Sequence, residues 1–279
     1  MKLHYFLVLF IMAGMPAVFA GIDIRHDIAY NGRPGEVRNL LDVYYPENTE
    51  VPKDVLVFIH GGSWNSGKKD TYWWLGKNLA RKNVVSVIIN YSLSPQSQYE
   101  QMADDCAAAL KWVKDSIAVF GGRADRIFVM GHSAGGHLTE LINTDPRFFK
   151  QAGIPNPIHA VILNDGFGMD MFEYLNVAES NEQTESFLNT FTRNQEVWKT
   201  GSPINYLQNV TNPTLIFVGE RTYPAIKLQS NRLYNTLLKA DKAVELKFVK
   251  RKKHIGMISQ MIFRGNQMYD MILAFMKRY

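Results

Sequence analysis

The sequence RIFVMGHSAGGHLTEL runs from Arg126 to Leu141. It opens on an apolar, partly β-branched run, Ile127-Phe128-Val129-Met130, which reads as a buried strand. Gly131 ends the run. Gly-His-Ser-Ala-Gly follows, then helical character from His137. The pattern G-x-S-x-G between a strand and a helix describes a sharp turn with a serine at its tip. Gly131 and Gly135 carry no Cβ, so strand and helix can pack closely around that turn. Ser133 is then expected in a strained conformation with its Oγ held outward, beside the N-terminal N–H groups of a helix.

The strands to either side extend the picture. Ile22 to Tyr30 and Leu40 to Tyr45 alternate apolar and polar residues, as antiparallel edge strands do, with Gly32-Arg33-Pro34-Gly35 as the turn between them. Asp54 to His60 and Val84 to Asn90 contain continuous apolar runs and predict buried strands. A helix is expected over Thr71 to Lys82. Another is expected over Tyr99 to Val119, with Met102, Cys106, Leu110, Val113 and Ile117 on one side. Beyond the serine come strands at Ile158 to Leu163, Pro213 to Val218 and Val244 to Val249. A helix at Ser230 to Lys239 and a closing helix at Met257 to Tyr279 complete the series. Residues 166–200 break the rhythm and read as an inserted helical cap. Strands alternating with helices predict an α/β fold, a mostly parallel central sheet with helices on both faces. Ligands of such sheets bind at the carboxyl ends of the strands, where Ser133, the His60 loop, Asp165, Glu220 and His254 all fall.

Composition agrees with one globular domain over residues 21–279. The chain has 279 residues, 46% hydrophobic and 20% charged, enough to bury a sizeable core. Residues 1–20 differ. Lys2, an apolar core over Phe6 to Met15, and Val18 and Ala20 before a cut read as a secretory signal peptide. That implies a secreted or periplasmic protein with no stable membrane anchor after cleavage. Cys106 is the only cysteine, so no disulfide closes within the chain. The net charge of +5 is scattered, except in Lys250-Arg251-Lys252-Lys253. That run reads as a solvated loop, and no nucleic-acid partner is expected.

A serine hydroxyl becomes a useful nucleophile when a base removes its proton, and the base should be a histidine oriented by a carboxylate. His4 lies in the leader and His26 far upstream. His60, His132 and His137 lie in or beside glycine motifs, and His159 starts a strand. His254 alone follows the last strand, so it is the expected base. An oxyanion formed in such chemistry needs preorganised N–H donors. Gly62 and Ser63, in the loop HGGSW at His60 to Trp64, and Ala134, just after the serine, are the expected donors.

These segments together resemble a known family. HGGSW at His60, NYSLSP at Asn90 to Pro95, GHSAGGH at Gly131 to His137, SPINYL at Ser202 to Leu207 and KKHIGMI at Lys252 to Ile258 are similar to the secreted carboxylesterase and lipase-like branch of the α/β-hydrolases. That branch includes hormone-sensitive-lipase-like esterases, acetylxylan and feruloyl esterases, and arylformamidases. The resemblance implies the α/β-hydrolase fold and a serine carboxylic-ester hydrolase working through an acyl-enzyme. It implies a small-molecule ester substrate and no metal or organic cofactor. Trp64, Trp73, Trp74, Phe167 and Phe172 lie in segments able to rim the site, and suit an aromatic or acetyl acyl group.

One position departs from the family. After its seventh strand the family reads G-x-x-D, and here Gly219-Glu220-Arg221-Thr222 places Thr222 at the aspartate. Glu220, in the same loop, and Asp165, after the preceding strand, are competing acids. The sequence leans to Glu220, because it stays in the loop where the family keeps its acid. An arylformamidase-type amidase, or a ligand-binding pseudoenzyme without a proper acid, are the alternative readings.

Overall fold

The computed structural model describes residues 21–31, 37–47 and 50–279. The expected leader at 1–20 and the expected turn at Gly32 to Gly35 lie outside the described residues. Eight strands form one sheet in the order β1-β2-β4-β3-β5-β6-β7-β8. They are β1 (Ile22–Ala29), β2 (Leu40–Pro46), β3 (Lys53–Ile59), β4 (Val85–Ile89), β5 (Gly122–His132), β6 (Ile158–Asn164), β7 (Thr214–Gly219) and β8 (Val244–Val249). β1 pairs antiparallel with β2, and β2 with β4. From β4 to β8 every pairing is parallel. The alternating β1 and β2 lie at the sheet edge, and the continuous apolar runs lie inside it.

Period-two alternation sorts each inner strand between two cores. Val55, Val57 and Ile59 of β3 join the core on one face, and Leu56 and Phe58 join the other. The first core is covered by α2 (Tyr99–Ser116), α3 (Ala134–Thr144) and α8 (Pro224–Lys239). Cys106 sits in it as a fully buried small side chain. The second core is covered by α1 (Trp73–Ala80), α9 (His254–Ser259) and α10 (Gln267–Arg278). The expected closing helix is therefore two helices. α9 ends at Ser259, a 3-10 turn spans Gln260–Ile262, and α10 starts afresh where the Asn266 side chain accepts from Met268 N–H at 3.0 Å. The short α4 (Arg147–Gln151), absent from the sequence reading, follows Pro146.

Between β6 and β7 the chain forms α5 (Met171–Val177), α6 (Glu182–Phe191) and α7 (Gln195–Thr200). Each starts on a side chain that caps it: Asp170 accepts from Glu173 N–H, Asn181 from Thr184 N–H and Asn194 from Glu196 N–H. Arg232 of α8 reaches Asp170 at 3.1 Å and Glu173 at 2.6 Å, tying the start of this insertion to the body. At the opposite edge, the buried Lys69 ammonium lies 2.7 Å from Asp42, 2.6 Å from Asp27 and 2.9 Å from Asp70. That cluster holds Asp27 in its left-handed turn, where the β1–β2 register shifts.

Candidate active site

Ser133 stands between β5 and α3 with φ 55° and ψ −122°, a conformation L-residues avoid. The surroundings enforce it. A Cβ on Gly131 would lie 2.2 Å from the Gly135 carbonyl oxygen, and one on Gly135 would lie 2.1 Å from that of Ile59. Only glycines let β3, β5 and α3 approach so closely. The Ser133 carbonyl accepts from the N–H groups of Gly136, His137 and Phe167. α3 begins at Ala134, three residues earlier than the sequence indicated.

His254 opens α9, after the loop that follows β8. Its Nε2 lies 2.8 Å from Ser133 Oγ. Its Nδ1 lies 2.6 Å from Asp165 Oδ2. Asp165 is wholly buried, and a carboxylate only accepts, so the proton belongs on Nδ1. Nε2 is then the free acceptor for the serine hydroxyl proton. The structure thus brings together Ser133, His254 and Asp165.

It does not bring Glu220 to that histidine, which corrects the preference drawn from the sequence. Glu220 is exposed, and its carboxylate accepts from Arg251 N–H at 2.6 Å. Its backbone pairs with Val249, which turns the side chain along the loop rather than under the ring. Thr222, at the position where an aspartate was expected, still serves the pair. Its hydroxyl donates to Asp165 Oδ2, while Gly219 N–H donates to Oδ1 at 2.8 Å. Asp165 reaches this place because β6 lies beside β7. Its N–H donates to the Phe217 carbonyl at 2.8 Å, continuing the ladder by one step and aiming the carboxylate at the β7 loop.

Three buried histidines surround the centre. His132 stacks on His254, with ring centroids 4.9 Å apart and planes 25° apart. Burial, reinforced by the neighbouring His254, pushes its pKa down to about 3. His137 accepts from Trp64 Nε1–H at 3.2 Å through Nδ1 and donates through Nε2 to the Gly201 carbonyl at 2.7 Å. Burial pushes it down to about 4. His60, stacked on Tyr91, is likewise pushed to about 4 by burial. Apart from the bond of His60 Nδ1 to the neighbouring Gly61 carbonyl at 2.8 Å, the partners are distant along the chain, so these roles are not visible in sequence spacing.

Gly62, Ser63 and Trp64 all have positive φ, at 129°, 51° and 60°. This tight loop is closed by the Gly62 carbonyl, which accepts from Asn65 N–H, Ser66 N–H and Ser66 Oγ–H. Gly62 and Ser63 line the same cleft as Ser133. Ala134 is the first residue of α3, whose first-turn N–H groups lack intrahelical acceptors.

The cleft has a volume of about 780 Å³ and a mainly apolar wall. Of the five aromatics singled out from sequence, Trp74 and Phe167 line it. Trp64 does not: it is fully buried, edge-on to Phe187 and Phe191 of α6. Trp73 is half exposed under the Lys77 ammonium, and Phe172 packs against the core with Lys199 over its face. Tyr72, Tyr174, Phe187 and Tyr223, which the sequence did not mark, take their places on the wall.

A family model described as BD-FAE matches residues 41–237. The chain belongs to the BD-FAE family. It is 27% identical over 270 residues to a probable isoprenylcysteine alpha-carbonyl methylesterase of Arabidopsis thaliana, covering 92% of this chain and 63% of that relative. It is 25% identical over 244 residues to the kynurenine formamidase of Danio rerio, covering 85% of this chain and 76% of the relative. The chain thus spans less than two thirds of the methylesterase's length. Among solved structures, a truncated carbohydrate esterase from gut microbiota superimposes with a TM-score of 0.78 at 19% identity, over 93% of this chain and 96% of that one. The fold of this BD-FAE member is the α/β-hydrolase fold of esterase structures.

Proposed function

We propose that this BD-FAE member is a serine carboxylic-ester hydrolase that works through an acyl-enzyme. The observation that carries the reading is His254 bridging Ser133 Oγ at 2.8 Å and Asp165 at 2.6 Å, inside an apolar cleft. Ser133 Oγ attacks the ester carbonyl as its proton passes to His254 Nε2. Asp165 steadies the imidazolium formed. The N–H groups of Gly62, Ser63 and Ala134 receive the developing oxyanion. Collapse of the tetrahedral intermediate expels the alcohol, which takes the proton from Nε2. Water then repeats the sequence on the acyl-Ser133 ester and releases the acid. Each step uses groups of this chain alone. The aromatic wall of Tyr72, Trp74, Phe167 and Phe187 suits small esters with an aromatic acyl group, and leaves ample room for acetyl.

A panel of short-chain and aromatic esters, run with Ser133→Ala as control, tests this reading. Turnover is expected in the wild type and a loss of several orders of magnitude in the variant. Near-wild-type turnover by purified Ser133→Ala would remove the catalytic assignment. The similarity to a formamidase over 85% of the chain favours one second reading, an arylformamidase-type amidase with the same machinery. Formanilides in the same panel separate the two.

A further inference from the structure

Around the mouth of the cleft, large apolar side chains stand in water. Tyr223 is 56% exposed, Ile255 66%, Ile262 50% and Phe263 73%. The first three also line the cleft, and Phe263 is next to Ile262 in the chain. They come from separate segments: the start of α8, the start of α9, and the turn after α9. Single exposed apolar residues are ordinary on a protein surface. Several gathered from different segments around one opening form a patch with a use.

The same segments are rich in cations. Arg221, Lys250, Arg251, Lys253 and Arg264 are exposed, and Lys252 is half-buried. Among the described residues no ion pair within 4.0 Å involves any of these six, although Lys69, Arg126, Arg147 and Arg232 are all paired. Glu220 is the only acid in residues 220–224, 249–256 and 262–266, and it is engaged by Arg251 N–H. Unneutralised cations beside an apolar rim are complementary to a surface that is anionic outside and apolar beneath.

We propose that this rim seats the protein on an anionic lipid surface with the cleft mouth turned toward it. The apolar side chains enter the headgroup layer and the cations face lipid phosphates. No helix among the described residues is long and apolar enough to cross a membrane. Esters dissolved in or carried by the lipid then reach Ser133 without crossing water. A soluble polyanion would use the cations and leave the apolar rim idle, which is why lipid is the better match. The proposal rests on the ester-hydrolase reading only for what enters the cleft. The surface contact itself needs no turnover.

Cosedimentation of the purified protein with vesicles tests it. Binding is expected to vesicles of phosphatidylcholine mixed with phosphatidylglycerol, weakening with salt, and little binding to phosphatidylcholine alone. Phe263→Ser should weaken it, and the double variant Lys250→Gln/Arg264→Gln should lower it by on the order of thirty-fold. Neither variant touches the cleft wall, so both should hydrolyse a water-soluble short ester at the wild-type rate. Absence of vesicle binding by the wild type overturns the proposal. So does vesicle binding that Phe263→Ser leaves unchanged while dextran sulfate binds equally well, since that describes a polyanion site. Vesicle binding without any ester turnover would support the rim and count against the hydrolase reading.

Discussion

Asp165→Asn isolates the acid with almost no change of shape. The carboxylate accepts from three donors: Gly219 N–H on Oδ1, and His254 Nδ1–H and the Thr222 hydroxyl on Oδ2. An amide has one oxygen and one NH₂. If the oxygen keeps Gly219, the NH₂ faces His254 Nδ1 and drives the ring to the tautomer protonated on Nε2. That ring cannot take the serine proton. If the oxygen turns to His254, two donors meet at the Gly219 N–H, which costs about 1–3 kcal/mol in a buried site, and the imidazolium still lacks its counter-charge. Where a wrong tautomer and a missing charge combine in such a triad, losses of about 10⁴-fold in kcat are known. That is about 5.4 kcal/mol of transition-state stabilisation. Glu220→Gln should do almost nothing, because a Gln oxygen still accepts from Arg251 N–H. Steady-state hydrolysis of one short ester by the wild type and both variants, with thermal melts to check folding, measures the contrast. A folded Asp165→Asn keeping more than about a tenth of kcat would refute the argument, as would an equal loss in Glu220→Gln.

Other outcomes follow from burial. Glu140 is fully buried with no partner for either oxygen, and burial lifts its pKa to about 8. The unfolded chain ionises near pH 4.5 while the folded chain stays protonated, so stability falls as pH rises between those values. Glu140→Met should therefore raise the melting temperature by a margin that grows from about pH 5 to pH 8 and then levels. A constant margin would show that the carboxyl is not the cause. Gly135→Ala should cost more than about 3 kcal/mol or prevent folding, because its Cβ meets two backbone carbonyl oxygens, of Ile59 and His60, within 2.5 Å. A denaturant melt close to wild type would mean that the close approach is relaxed. Material exported by cells should begin at Gly21 on N-terminal sequencing, and retention in membranes with Met1 intact would argue for an anchor.

The serine turn and the histidine that meets it were legible in sequence because the constraints there are local. A strand, two glycines and a helix start lie within sixteen residues, and His254 is the one histidine in a loop after the last strand. The choice between the two carboxylates, Asp165 and Glu220, was not legible. Asp165 lies 89 positions before His254, and the fact that matters is lateral: β6 runs beside β7, with Leu163 opposite Ile216 and Asn164 opposite Phe217. Chain spacing carries no trace of that neighbour relation, so the loop where the family keeps its acid drew the preference to Glu220. Trp64, one of the three expected rim aromatics that miss the cleft wall, does so for a related reason. Trp64 sits in the right loop, but a positive φ swings its indole inward to His137, and period or propensity does not encode such a turn. The last helix restarts at Gly265-Asn266, inside an apolar pattern that continues on both sides and so reads as one helix.

Phe187 faces two ways. One side is wall of the cleft, and the other meets the edge of Trp64, whose backbone belongs to the tight loop at Gly62 and Ser63. Asn65 of that loop also donates to Ser186 of the same helix at 2.7 Å. A change in α6 that reshapes the cavity therefore also moves the seat of the loop beside Ser133. Selectivity and turnover share a hinge here. Exchanging this segment between relatives should rarely transfer preference at undiminished speed, unless Trp64 and its packing partners travel with it.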